Sequence, residues 1–277
     1  MSLISRSQFL RRFALGLGAT LMIAACDGQN QQAASPDTTA EGAPAAGGVL
    51  RVGTEPAFPP FESQGAGGEL EGFDIDLMRA IGEQAGLEVE FESLPFDGLI
   101  PALQAGSIDA AISAMTITEE RAQTVSFSRP YFKAGLAIAV REETTDVATL
   151  DDLENKRIAV QIGTTGASQA AQISGAQVTT FDSAPLALQE LANGNVDAVI
   201  NDAPVTLDAI ASGNIQGLKV VGELLTEEFY GIAMPQNSPN VEVVNNALAE
   251  MISDGTYAEI YQKWFKAEPP ELPETAF

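Results

Sequence analysis

Gly106-Ser-Ile-Asp-Ala-Ala-Ile112 and Gly194-Asn-Val-Asp-Ala-Val-Ile200 are two versions of one phrase. Each follows a segment that contains Ala-Leu-Gln (102–104 and 187–189) and opens on a Phe-Asp pair, Phe96-Asp97 and Phe181-Asp182. Each then runs into polar residues: Ser113, Ala114, Met115 and Thr116 after the first, Asn201 and Asp202 after the second. The phrase reads as a helix, a glycine turn and a short apolar strand that releases polar groups at its C-terminal end. In open α/β sheets that edge is where ligands bind. Two such edges in one chain predict two lobes facing each other across a cleft.

The surrounding pattern supports the reading. Val49-Leu-Arg-Val52 predicts a strand, followed by the Pro-rich loop Gly53-Thr-Glu-Pro-Ala-Phe58-Pro-Pro-Phe61. From about Asp74, Leu77, Met78, Ile81 and Ala85 recur at helical spacing, and residues 89–91 predict the next strand. The order β-loop-α-β-α-β is that of a parallel or mixed α/β sheet. It restarts at Lys156-Arg-Ile-Ala-Val160, with strands at Gln177–Phe181 and 196–200. Tyr131-Phe-Lys-Ala-Gly-Leu-Ala-Ile138 returns loosely as Phe229-Tyr-Gly-Ile-Ala-Met234. These two apolar segments bracket the second unit and are expected to be the crossings between lobes. A helix over Thr256–Phe265 would bring the chain back to the first lobe. The expected division is lobe 1 at 49–132 plus 228–271, lobe 2 at 137–226, and a tail at 272–277.

The N-terminus reads differently. Arg6, Arg11 and Arg12 precede an apolar run over 13–25 with no acidic residue, the pattern of a secretory leader and too short for a spanning helix. Arg11-Arg12-Phe13 also bears a faint likeness to a twin-arginine signal. Ile23-Ala-Ala-Cys26 resembles a lipoprotein lipobox, which implies cleavage before Cys26 and its acylation. The alternative is an ordinary cysteine. Residues 26–48 are rich in Gln, Ala, Thr and Gly, hold too little apolar surface to order themselves, and form an expected tether. About 20 such residues reach roughly 25 Å.

Composition narrows the chemistry. The chain has no histidine and one cysteine. That removes imidazole bases, most zinc sites and every Ser-His-Asp arrangement. No metal or other cofactor is expected, and the poverty of catalytic groups favours binding over catalysis. The net charge is −24, near −27 without the leader's three arginines, which disfavours nucleic acid and anionic membrane surfaces.

Several motifs, in order, carry a resemblance. Gly53-Thr-Glu-Pro-Ala-Phe-Pro-Pro-Phe-Glu62, Gly72-Phe-Asp-Ile-Asp-Leu77, Phe96-Asp-Gly-Leu-Ile-Pro101, Ser113-Ala-Met-Thr-Ile-Thr-Glu-Glu-Arg121 and Asp254-Gly-Thr-Tyr-Ala-Glu-Ile-Tyr-Gln-Lys-Trp264 resemble the bacterial family 3 extracellular solute-binding proteins. The likeness spans the whole body to about residue 266. It implies the two-lobed type II periplasmic-binding-protein fold, with two hinge segments, and a monomeric receptor. Such a receptor would carry an amino acid to the permease of an ABC importer, outside the cytoplasm.

Within that frame, Arg121 is expected to grip the ligand's carboxylate, since a guanidinium binds two oxygens at once. By position alone it could equally pair with Glu119 or Glu120. Backbone amides near Ser113, Ala114 and Thr116 and at Thr164 and Thr165 would complete the anion site. Asp202 would accept the ammonium, although as a residue preceding a helix it also reads as an N-cap. Phe58 and Phe96 match the family's aromatic walls, although each reads alone as core. Glu55, beside two aromatics, suits a cationic tip and points to arginine, lysine or histidine; its alternative is a solvated loop acid. Gln161 stands where glutamine receptors of the family tend to carry lysine, which lowers glutamine as the ligand. Two other readings remain, a cyclohexadienyl dehydratase-like enzyme on the same fold, with Glu55 as proton donor, and a sensory module.

Overall fold

The computed structural model describes residues 48–277. The leader, Cys26 and the expected tether through residue 47 lie outside the described residues. The first lobe is built from β1 (Val49–Thr54), the short strands β2 (Ala57–Phe58), β3 (Glu62–Gln64) and β4 (Leu70–Glu71), α1 (Phe73–Ala85), β5 (Glu88–Ser93), α2 (Phe96–Gln104), β6 (Ala110–Ala111), α3 (Glu119–Ala122) and β7 (Val125–Phe127). After β8 (Phe132–Ala134) come β9 (Leu136–Arg141), β10 (Arg157–Gln161), α4 (Thr165–Ala170), β11 (Gln177–Phe181), α5 (Ala184–Ala192), β12 (Ala198–Asp202), α6 (Ala203–Ala211) and β13 (Leu218–Val221). The chain closes with β14 (Glu228–Tyr230), β15 (Ala233–Pro235), α7 (Asn240–Asp254) and α8 (Thr256–Phe265).

Two five-stranded mixed sheets result, ordered β5-β1-β6-β15-β7 and β11-β10-β12-β9-β13. They are copies in plan. In each, the strand that opens the repeated α/β unit lies between two parallel partners, β1 between β5 and β6, β10 between β11 and β12. In each, the fourth strand runs antiparallel and is the one next to a crossing: β9 follows β8, and β15 follows β14. The crossings β8 and β14 pair antiparallel, Phe132 opposite Tyr230 with stacked rings 5.6 Å apart.

The repeated phrase folds as one motif used twice. α2 ends with Gly106 N–H donating to Leu103 O and Ser107 N–H to Ala102 O; α5 ends with Gly194 N–H donating to Leu191 O and Asn195 N–H to Glu190 O. This glycine stop needs a left-handed residue, and φ is +68° at Gly106 and +79° at Gly194. The aspartate three residues on is then clamped by an arginine of the strand that opens the unit, β1 or β10. Arg51 donates Nε to Asp109 Oδ2 (2.9 Å) and Nη2 to Asp109 Oδ1 (2.8 Å), and reaches the Ser107 and Gly106 carbonyls. Arg157 repeats this on Asp197 (3.2 and 2.6 Å) and on the Asn195 and Gly194 carbonyls. Each clamp fixes the N-terminal end of β6 or β12.

The strand expected at 108–112 pairs as a ladder only over Ala110–Ala111. The one expected at 196–200 instead continues to Asp202, because antiparallel β9 extends the ladder to an Asp202–Leu136 pair. The core of the first lobe is aromatic: Phe61, Phe73 and Phe132 pack with Tyr257, Tyr261 and Phe265, so α8 seals this lobe. The second lobe is aliphatic, with Ile138, Val140, Ile158, Val160 and Ile200 buried between its helices. No helix among the described residues is long and apolar enough to cross a membrane.

Candidate functional site

The strand ends of the two sheets meet. Phe58, Phe96, Ser113, Ala114, Thr116 and Arg121 from the first lobe and Gln161, Thr164, Thr165 and Asp202 from the second line one cavity. Glu55, one residue past β1, is buried beside it and accepts a hydrogen bond from Gln161 Nε2 at 2.7 Å. A broader groove outside shares Arg121, Thr164 and Thr165.

Arg121 lies in the four-residue helix α3, whose N-cap, Thr118, accepts the Arg121 N–H at 3.2 Å. Its guanidinium donates to Thr116 O (2.6 Å) and across the lobes to Gly163 O (2.9 Å). It lies 5.4 Å from the centroid of the Phe96 ring. Burial lowers its pKa from the usual value, while Asp202, Glu228 and Glu120 pull it back up. Arg121 is therefore a cleft cation, not the partner of a neighbouring surface acid.

Asp202 occupies the position before α6, yet its side chain makes no capping bond. It accepts instead from the Tyr230 hydroxyl, which belongs to the returning crossing. Burial, then Glu228, push its pKa up to about 7 against the pull of Tyr230 and Arg121. Glu55 is pushed to about 7 by burial, with Asp97 adding to the rise and Gln161 opposing it. It is not a solvated loop acid. Phe58 and Phe96 both face the cavity, and Phe58 also packs into the first lobe's core.

One expectation needs correcting. The Ala114 N–H is not free for an anion, because Asp74 Oδ2 accepts it at 2.8 Å.

Sequence reading also missed the groups behind the cleft. Glu228 on β14 accepts hydroxyl bonds from Thr116 (2.7 Å), Thr165 (3.0 Å) and Thr226 (3.1 Å), so one carboxyl joins both lobes and a crossing. Glu62, Asp74 and Tyr131 are fully buried behind Ser113. Glu228 faces inward at the start of β14 and its neighbour Glu227 outward, a difference that only the pairing of β14 with β8 reveals.

The family model for bacterial extracellular solute-binding proteins, family 3, matches residues 50–267. A probable histidine-binding protein of Neisseria gonorrhoeae is 34% identical over 90% of this chain and 93% of its own length. The ABC transporter arginine-binding protein 1 of Escherichia coli K12 is 38% identical over 78% and 90%. An ancestral arginine-binding protein solved with arginine superposes with a TM-score of 0.77 at 47% identity, over 80% of this chain and all of that one. On sequence and architecture alike, the chain belongs to the bacterial extracellular solute-binding proteins of family 3.

Proposed function

We propose that this protein is a receptor for an amino acid, preferably a basic one, which it holds between its lobes and passes to the permease of an ABC importer. The carrying observation is that Arg121 and Asp202, a half-buried cation and a buried acid from opposite lobes, line one cavity. An α-amino acid presents a carboxylate and an ammonium at fixed separation, and these two groups are their complements. Phe58 and Phe96 would flank the side chain, and Glu55 would meet its cationic tip. Each charge-assisted bond contributes about 1.5–3 kcal/mol net, so a few reach the micromolar range, about −8.2 kcal/mol.

On this reading the lobes are 49–132 plus 228–271 and 137–226, and the protein acts as a monomer outside the cytoplasm, tethered through acylated Cys26. It is a binder rather than an enzyme, and the names of the arginine- and histidine-binding relatives support that choice. A thermal-shift screen of the purified protein against the common amino acids tests the reading, because a ligand of the native state raises the melting temperature with concentration. Shifts confined to arginine, lysine and histidine are expected. A shift with glutamine alone overturns the specificity, and none with any amino acid overturns the receptor. Replacing Cys26 by serine should move the protein from the membrane to the soluble fraction, and unchanged membrane association refutes the anchor.

A further inference from the structure

Behind the Ser113 turn, two carboxyl groups are fully buried and face each other. Glu62, from β3, accepts from Ser113 Oγ through Oε1 at 2.8 Å. Asp74, from the first turn of α1, accepts through Oδ2 from the Ala114 N–H and the Tyr131 hydroxyl, each at 2.8 Å. One oxygen remains on each, Glu62 Oε2 and Asp74 Oδ1, and neither receives a donor. Among the described residues no lysine or arginine hydrogen-bonds either carboxyl. The titratable groups around the pair are Glu55 beyond β1, Tyr131 beside β8 and Tyr230 on β14, none of them basic.

Two bare carboxylates in contact without a cation are not sustainable in a buried site. A single proton between the two orphaned oxygens satisfies both. Asp74 receives two donors that favour its ionised form and Glu62 only one, so the proton belongs to Glu62. We propose that Glu62 is a carboxylic acid donating to an Asp74 carboxylate, and that this proton-sharing pair is the positioning element of the Ser113–Thr116 turn in the ligand cleft.

The connections run directly from the pair to the cleft. Ser113 Oγ donates to Glu62 and accepts the Glu55 N–H at 3.0 Å, so the pair fixes where β1 delivers Glu55. Asp74 holds the N–H of Ala114, a non-glycine residue at φ +45°, and so holds the turn in a conformation an L-residue rarely adopts. Two residues later Thr116 offers its carbonyl to Arg121. The electrostatics agree. Burial, then the Asp74 charge, push Glu62 well above the usual carboxylate range, while Asp74 rises only to about 6 because Ala114, Tyr131 and Glu62 all oppose its burial.

The effect on ligand affinity rests on the receptor reading above; the proton itself does not, so the two are tested apart. Infrared spectra of the full chain at neutral pH, without any amino acid, should show a protonated-carboxyl band that Glu62→Gln removes. Glu55→Gln and Asp202→Asn should leave that band. A difference spectrum between wild type and Glu62→Gln without the band overturns the pair, whatever the protein binds.

Positioning is read by isothermal calorimetry with arginine. Glu62→Gln keeps a donor toward Asp74 and an acceptor for Ser113, so affinity should stay within about twofold. Glu62→Leu strands Ser113 and Asp74, and should weaken arginine by about tenfold or more. Ser113→Ala, which leaves the buried pair paired, should give a similar loss if Glu62→Leu does not fold. Equal losses for Glu62→Gln and Glu62→Leu, or an unchanged affinity in Ser113→Ala, overturn the positioning role. The band present in a protein that calorimetry finds to bind no amino acid would refute the receptor reading and leave the pair standing.

Discussion

Replacing Glu55 by glutamine should change how arginine binding depends on pH, not only its strength. Glu55 and Asp202 are each held near 7 by burial in the free protein. A cationic side chain and an ammonium both require the ionised carboxylates, so they lower these pKa values on binding. Below about pH 7 the ligand must therefore expel a proton from each, and affinity falls with acidification; above it the acids are already ionised and affinity levels off. Two protons give a limiting slope of about a hundredfold per pH unit. Glu55→Gln removes one of them, leaving about tenfold per unit from Asp202. At alkaline pH the variant loses the difference between a charge-assisted and a neutral hydrogen bond, about 1–2 kcal/mol, or roughly 5- to 30-fold. Glutamine as ligand has no cationic tip and should show the single-proton slope with both proteins. Calorimetry from about pH 5 to about pH 8 with both ligands decides the matter. Equal arginine slopes for wild type and Glu55→Gln would refute Glu55 as the group that meets the cation.

Arg121→Ala should weaken every amino acid tested by about a hundredfold or more, because two charge-assisted bonds to a carboxylate are lost; unchanged affinity in calorimetry removes it from the site. Arg51→Ala and Arg157→Ala should each lower the denaturant midpoint slightly and leave affinity unaltered, because both clamps lie at the strand ends away from the cleft; a selective loss of affinity would show that they act on the site. Because Asp202 and Glu55, near 7, and Asp74, near 6, are all raised in the folded state, their contributions are fully present only below the unfolded carboxylate values of about 4. They are lost as pH rises from there through 6 and 7, levelling off above. The melting temperature of the ligand-free protein should therefore fall from about pH 5 to about pH 8, and Asp202→Asn should flatten that fall; a melting temperature that rises over this range contradicts the buried-acid assignment.

The architecture was legible because its signals are local. A glycine stop after a helix, an aspartate three residues on and an apolar strand can be read from neighbouring residues, and the second copy removes the ambiguity of the first. What escaped depends on pairings distant in sequence. Arg51 and Arg157 look like ordinary surface charges until β1 and β10 are laid beside the strands that carry Asp109 and Asp197. Asp74 reads as a helix-dipole acid, and nothing in the order of residues says that β3 will bring Glu62 against it. Glu227 and Glu228 are indistinguishable as a pair. Only the pairing of β14 with β8 turns Glu227 out to Lys133, 2.5 Å away, and Glu228 in to three threonines. The role of Asp202 was ambiguous for the same reason, since a residue at the end of a strand and the start of a helix can serve either element.

On the proposed reading, the charge balance of the cleft makes ligand choice depend on a single proton. Arg121 is the one cation among the residues facing the cavity, set against Asp202, Glu228 and Glu55. The three threonine hydroxyls give Glu228 partners within the protein. On the proposed reading, a bound zwitterion would pair its carboxylate with Arg121 and its ammonium with Asp202, and leave Glu55 over. With Glu55 ionised, the remaining charge is negative and a cationic tip neutralises it; a neutral amide does not. With Glu55 protonated, the preference disappears, because a carboxylic acid both donates to and accepts from an amide, whereas a guanidinium can only donate. Gln161 Nε2, held on Glu55 Oε2, favours the ionised form, and burial opposes it. On the proposed reading, discrimination between arginine and glutamine is thus set by the competition between one side-chain amide and the dryness of the lobe interface. A change at Gln161 that withdraws its donor should shift the preference toward glutamine without touching any group that holds the α-carboxylate.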